Sequence, residues 1–293
     1  MLCEPGRGMR HLQLPRGATT LSIPVLGLGT WKFGDARSTR SAEIAAVRTA
    51  LELGYRMIDT AEMYGDGGAE EVVGIALDDA IRAGDVRRDE VVIVSKVYPH
   101  NASRAGTRAA CDRSRRRLGL DTIDVYLLHW RGPYPLEETV EGLQALAAAG
   151  HVRRWGVSNF DVEDMAELEA VSEDCALNQV WYSLGERGPE FALLPWLRAR
   201  NMPLMAYSPI DQGRAAADPV LKKIAGERGL TAVQVALASL LAQPGVIAIP
   251  KAMGAPHLRE NLAAVDIALT AAELQAIEQR FPRPVRKAPL AMN

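Results

Sequence analysis

The chain has 293 residues, 48% of them hydrophobic, with 34 Lys and Arg against 36 Asp and Glu, so it can bury a sizeable core as one α/β barrel or two ordinary domains. Its formal net charge of −2 gives no whole-molecule attraction to nucleic acid or to an anionic membrane. The widely spaced Cys3, Cys111 and Cys175 form no CxxC pair, the first thirty residues lack an apolar signal core, and the apolar stretch from Leu230 to Pro250 is broken by Gln234, Gln243, Pro244 and Gly245; a cytoplasmic protein is expected.

Residues 1–8 carry no recognisable pattern, and Met9 is a plausible native start. His11 to Pro24 suits a hairpin, and Val25 to Thr30 a strand. A helical pattern from Ser41 to Leu53 then ends at Gly54. From there the strand–helix unit recurs. Strands are expected at 56–60, 91–97, 123–129, 153–158, 176–182, 203–208 and 246–250. Helices are expected at 69–83, 104–118, 136–149, 162–171, 190–198, 219–228 and 256–265. Two more helices, 231–242 and 271–280, open on Thr-x-x-Gln and Thr-x-x-Glu capping boxes and are read as additions lying outside the repeat.

No Ser/Gly/Pro-rich linker or shift in composition divides the chain, so 1–293 is read as one domain. Alternating strands and helices fit either a closed barrel or an open doubly wound sheet. The count of eight favours a (β/α)8 TIM barrel with an N-terminal hairpin and two extra helices. In such barrels the chemistry lies at the C-terminal ends of the strands.

Three apolar runs end there on an ionisable residue: Met57-Ile58-Asp59, Val92-Ile93-Val94-Ser95-Lys96 and Val125-Tyr126-Leu127-Leu128-His129. A charge at the end of a buried strand is costly unless it is used. If Asp59 and Lys96 converge, the carboxylate holds the ammonium, and the ammonium beside Tyr64 favours phenolate, lowering the tyrosine pKa from about 10. Tyr64 could then protonate a carbonyl oxygen as hydride reaches its carbon, while His129 hydrogen-bonds and orients that oxygen. Taken singly, these residues could be a loop cap, a packed ring, a snorkelling lysine and a core histidine. Their joint placement argues for a site.

The strings Gly54-Tyr55-Arg56-Met57-Ile58-Asp59-Thr60-Ala61-Glu62-Met63-Tyr64-Gly65, Ser95-Lys96-Val97 and Leu127-Leu128-His129-Trp130 resemble the aldo-keto reductase superfamily, over about residues 20–280. That resemblance implies an NADPH-dependent (β/α)8 barrel with a catalytic tetrad of Asp59, Tyr64, Lys96 and His129. It further implies that Ser158, Asn159 and Gln179 hold the nicotinamide carboxamide and that the Tyr207 ring stacks on the nicotinamide. Gly29, Thr30 and Trp31 would lie along the cofactor, Asp59 would touch it, and Ser208, Pro209 and Ile210 would begin a short strap over it. Lys251 would bind the adenosine 2′-phosphate and Asn261 the adenine.

The residues alone support part of this reading. Pro256 as a first helical residue exposes backbone N–H groups beside Lys251, His257 and Arg259, which makes an anion site. Many relatives carry arginine where His257 stands, and a histidine is mostly neutral at pH 7; NADH is therefore possible but less favoured than NADPH.

Trp31, Tyr98, Trp130 and Tyr182 follow strand ends and could wall an aromatic substrate pocket. The strings Glu62-Met63-Tyr64-Gly65-Asp66-Gly67-Gly68, Lys96-Val97-Tyr98-Pro99 and Leu194-Pro195-Trp196 are similar to bacterial methylglyoxal or general aldehyde reductases of the superfamily. The expected function is reduction of small aldehydes and ketones, 2-oxoaldehydes or sugar-derived carbonyls among them, by a monomer with neither nucleic-acid nor membrane partner. One alternative is an NADPH-binding regulatory subunit resembling the potassium-channel β-subunits; another is an aldolase using Lys96 as a Schiff base. Five scattered histidines show no metal-ligand spacing, so no metal is expected.

Overall fold

A computed structural model describes residues 9–14 and 20–292, so the expectation about residues 1–8 lies outside the described residues. Two short strands, β1 (His11–Leu14) and β2 (Leu21–Pro24), pair antiparallel with Leu14 opposite Leu21. Eight parallel strands follow: β3 (Leu28–Gly29), β4 (Met57–Asp59), β5 (Val92–Val97), β6 (Ile123–Leu128), β7 (Val152–Ser158), β8 (Asn178–Trp181), β9 (Leu204–Tyr207) and β10 (Val246–Ala248). They pair in chain order. A parallel bridge between Leu26 and Ala248 joins last to first, with Gly27 N–H on the Ala248 carbonyl at 2.9 Å and Ala248 N–H on the Val25 carbonyl at 2.9 Å. The sheet is a closed (β/α)8 barrel.

The helices α1 (Arg40–Glu52), α2 (Gly68–Ala83), α3 (Arg104–Leu118), α4 (Leu136–Ala148), α5 (Val162–Val171) and α6 (Leu193–Ala199) each follow a strand. α3 shows how the sequence sets the ends: the Ser103 hydroxyl accepts from Gly106 N–H at its start, and Gly119 stops it at φ 66°. Outward-facing strand residues such as Ile58, Ile93 and Tyr126 pack on the helices, while Met57, Val94, Val125, Leu127 and Met205 fill the barrel interior. Leu14, Leu21 and Ile23 of the hairpin join this inner cluster. The N-terminal end is thereby plugged, and the C-terminal end is left for chemistry.

After β9 come α7 (Pro219–Arg228) and α8 (Ala232–Leu241), and after β10 come α9 (Ala255–Ala263) and α10 (Ala271–Arg280). Both expected capping boxes form, Thr231 with Gln234 and Thr270 with Glu273. The expected position of 231–242 does not hold. α8 is buried from Gln234 to Leu241, and Leu237, Leu240 and Leu241 belong to the layer around the strands. The outer position falls to α7, whose Leu221 and Ile224 pack with Val235 of α8 and Ile277 of α10 in a separate cluster. The physical reason is α8's all-round apolarity, Ala-Val-Gln-Val-Ala-Leu-Ala-Ser-Leu-Leu, which suits a buried helix rather than a surface one.

Candidate active site

The mouth of the barrel holds a cleft of about 470 Å³. β4 ends in Asp59, β5 carries Lys96 as its fifth residue, and His129 follows β6; Tyr64 begins a tight turn, Tyr64–Gly67, in the loop after β4, with Gly65 and Asp66 in the left-handed region at φ 56° and 51°. The Lys96 ammonium lies 2.9 and 2.8 Å from the two Asp59 carboxylate oxygens, 2.8 Å from the Thr60 carbonyl and 3.3 Å from the Tyr64 hydroxyl. The carboxylate, the carbonyl and the phenol match the three hydrogens of an ammonium, and the contact with Asp59 is an ion pair. Burial alone pushes Asp59 up and Lys96 down, and each opposes the other's shift. Gln179 also donates to Asp59 Oδ1 at 2.7 Å.

Tyr64 departs from expectation. Burial, reinforced by the Asp59 carboxylate, raises its pKa well above the ordinary tyrosine value instead of lowering it. The sequence places an ammonium near the phenol but not the desolvation that outweighs it. His129, 6% exposed, is pushed well below the usual histidine value by burial and by the Lys96 charge, and its ring lies 5.7 Å from that of Tyr64. Its Nδ1 is buried without a hydrogen-bond partner. An orphaned N–H there would cost more than an orphaned lone pair, which favours the tautomer with its proton on Nε2.

Asn159 follows β7 at φ 60°. Its amide nitrogen donates to the His129 carbonyl at 3.1 Å and to Ser158 Oγ at 3.2 Å, and its Oδ1 accepts from the Tyr207 hydroxyl at 2.9 Å. The structure brings Gly29, Trp31, Asp59, Tyr64, His129, Trp130, Ser158, Asn159, Gln179, Tyr207, Ser208, Pro209, Ile210, Lys251 and His257 to the wall of one cleft. Lys96 lies beneath that wall. Thr30 is buried beside it, with its hydroxyl on the Asp59 carbonyl at 2.9 Å. Lys251 stands over the Phe33 ring at 5.1 Å, its pKa lowered by partial burial. α9 starts at Ala255 with Pro256 in its first turn and no side-chain cap on its N–H groups.

Besides Lys96 and Thr30, four expected residues lie off the wall. Tyr98 packs edge-on against Trp130 at 5.2 Å, and Tyr182 is buried with its hydroxyl on Glu190 at 2.7 Å; loop direction, which residue type does not encode, decides both. Arg259 is exposed and Asn261 buried on α9, and neither lines the cleft. Conversely, Lys32, Met63, Gln212, Met253 and Met292 line it without having been singled out. Met63 and Met253 could have been found as neighbours of Tyr64 and Lys251. Met292 arrives on an irregular C-terminal segment that carries no pattern.

With this fold and this cleft, the chain belongs to the aldo/keto reductase family, whose sequence model matches residues 25–280. It is 46% identical over 279 residues to the methylglyoxal reductase YeaE of Escherichia coli strain K12, which covers 93% of this chain and 96% of that protein. A crystal structure of an aldo-keto reductase from Klebsiella pneumoniae in complex with NADPH is 45% identical, with a TM-score of 0.90, covering 97% of this chain and all of that one. The 9,11-endoperoxide prostaglandin H2 reductase of Trypanosoma cruzi is 34% identical over 267 residues, 89% of this chain and 88% of that one. Relatives with such different named substrates show that membership does not fix the substrate. No helix among the described residues is long and apolar enough to cross a membrane.

Proposed function

We propose that this enzyme reduces small aldehydes and ketones to alcohols with NADPH, 2-oxoaldehydes such as methylglyoxal among them, and that Tyr64 is the proton donor. The observation that carries the reading is the Lys96 ammonium, bonded at once to Asp59, to the Thr60 carbonyl and to the Tyr64 hydroxyl beneath the cleft.

The residues present fit the cofactor. Gln179 spends its NH2 group on Asp59 and on the Met205 sulfur, which leaves its carbonyl oxygen for an amide donor, and Ser158 and Asn159 complete a carboxamide-sized polar set. Tyr207 presents a ring to the same wall. Lys251 and the uncapped start of α9 suit a phosphate. NADPH held there would supply the hydride.

The chain's own groups do the rest. A carbonyl oxygen between Tyr64 and His129 would receive a hydrogen bond from His129 Nε2–H, which orients it as negative charge develops. The raised Tyr64 pKa keeps the phenol protonated at neutral pH. An alkoxide is a much stronger base than a phenolate, so the proton still passes from Tyr64 to product oxygen. As it leaves, the Lys96 ammonium steadies the phenolate and Asp59 holds Lys96 in place. A Schiff-base role suits Lys96 poorly, because the amine is buried and fully engaged.

Methylglyoxal is favoured by the kinship with methylglyoxal reductases. The buried free thiol of Cys111 agrees with a cytoplasmic setting, and a monomer carries the whole cleft on one chain. Purified protein given methylglyoxal and a panel of aldehydes should oxidise NADPH without a partner. A complete lack of turnover across the panel would overturn the reading.

A further inference from the structure

Residues 207–213 form one side of the cleft, and all but one of them line it: Tyr207, Ser208, Pro209, Ile210, Gln212 and Gly213 face the cavity. The exception is Asp211. It is 7% exposed, and its carboxylate turns away from the cleft to the loop after β8. Oδ1 accepts from the Ser183 hydroxyl and Oδ2 from the Gly185 N–H at 3.1 Å. Ser183 is itself fixed, its Oγ accepting from Glu186 N–H at 2.9 Å.

The wall is backbone-strained where this clasp holds it. Ser208, Asp211 and Gln212 sit at φ 48°, 51° and 54°, a region that costs side-chain-bearing residues about 1 kcal/mol or more each and persists only when the surroundings impose it. Gly185 shows how close the clasp is: a Cβ there would stand 2.1 Å from Asp211 Oδ2.

We propose that Asp211 is the positioning residue of the cofactor wall. Its clasp with Ser183 and Gly185 holds residues 208–213 over the bound NADPH and sets how fast the cofactor leaves. The inference rests on the reading that NADPH lies in this cleft. The carboxylate touches neither cofactor nor substrate and acts only through the wall. The wall lies on one side of it and a separate loop on the other, so the joint can be broken from either side.

The test uses D211G, D211N, G185A and the double variant D211G/G185A. Glycine tolerates the positive φ and removes only the carboxylate, whereas asparagine also tolerates it and still offers an oxygen to Gly185 and an amide to Ser183. In G185A the new methyl group expels the carboxylate. We expect D211G and G185A each to raise the Kd for NADPH about tenfold with faster release, and D211N to stay within threefold of the parent. The double variant should be no worse than D211G, because both break the same joint. At saturating NADPH, kcat should not fall. Hydrogen exchange on the protein without cofactor should quicken at the Gly213 and Ala215 amides, which bond to the Ile210 carbonyl. Unchanged NADPH release and unchanged exchange in D211G would overturn the proposal, as would losses in D211G and G185A that simply add. If instead the parent protein binds no NADPH, the functional reading falls, and the exchange measurement still decides whether the clasp holds the wall.

Discussion

Lys96 and Asp59 form an ion pair at 2.8 Å whose side chains are 0% and 3% exposed. Taking both charges out of water is expensive, and the pair survives because Thr60, Tyr64 and Gln179 complete its hydrogen bonds. Removing one partner strands the other. Lys96→Met is expected to cost about 3–5 kcal/mol of folding stability, read by denaturant unfolding. The double change Lys96→Met with Asp59→Asn should cost clearly less than the sum of the two single changes. Additive losses would mean the two groups do not depend on each other.

His129 gives a pH signature. Its folded pKa lies well below the unfolded histidine value of about 6.5, so below that pH the unfolded chain binds a proton that the folded chain refuses. The contribution is fully present above about pH 6.5 and is lost as the pH falls toward the folded value, with a slope of at most about 1.4 kcal/mol per unit. Urea unfolding of the parent and of His129→Gln between neutral and mildly acidic pH should show a shallower fall in the variant. Parallel curves would contradict a buried neutral histidine.

Lys251 bears on cofactor choice. With His257 exposed at the start of α9 and Arg259 away from the cleft wall, the lysine is the principal charge we assign to the 2′-phosphate. Lys251→Ala should weaken NADPH binding about tenfold or more, the scale of a lost charge-assisted contact. NADH binding should shift by less than about threefold on the same argument. Fluorescence titration with both cofactors measures it. Equal losses would put the phosphate elsewhere.

Much of this was legible in the sequence, and the places where it was not have identifiable causes. Asp59, Lys96 and His129 could be placed because a barrel strand has fixed direction and its end follows from where the apolar run stops. The capping boxes at Thr231 and Thr270 marked helix starts because the pattern is local. Which helix lies against the barrel was not local: α7 and α8 compete for one layer, and burial on all sides decides it. Tyr98 and Tyr182 were misplaced for a related reason, since loop geometry aims a ring and composition does not. The acidity of Tyr64 depends on how completely water is excluded, a property of the assembled mouth. The Asp211 clasp joins residues 28 positions apart that share no motif.

The central claim is that Tyr64 gives the proton. In Tyr64→Phe the ring and its packing remain while the hydroxyl is gone, so steady-state carbonyl reduction and NADPH titration on the same preparation separate chemistry from binding. We predict a fall in kcat/KM of about a hundredfold or more, the scale of a lost general acid, with the Kd for NADPH within about twofold of the parent, as expected when no cofactor-contacting donor is removed. Turnover close to that of the parent, with NADPH still bound, would contradict the account.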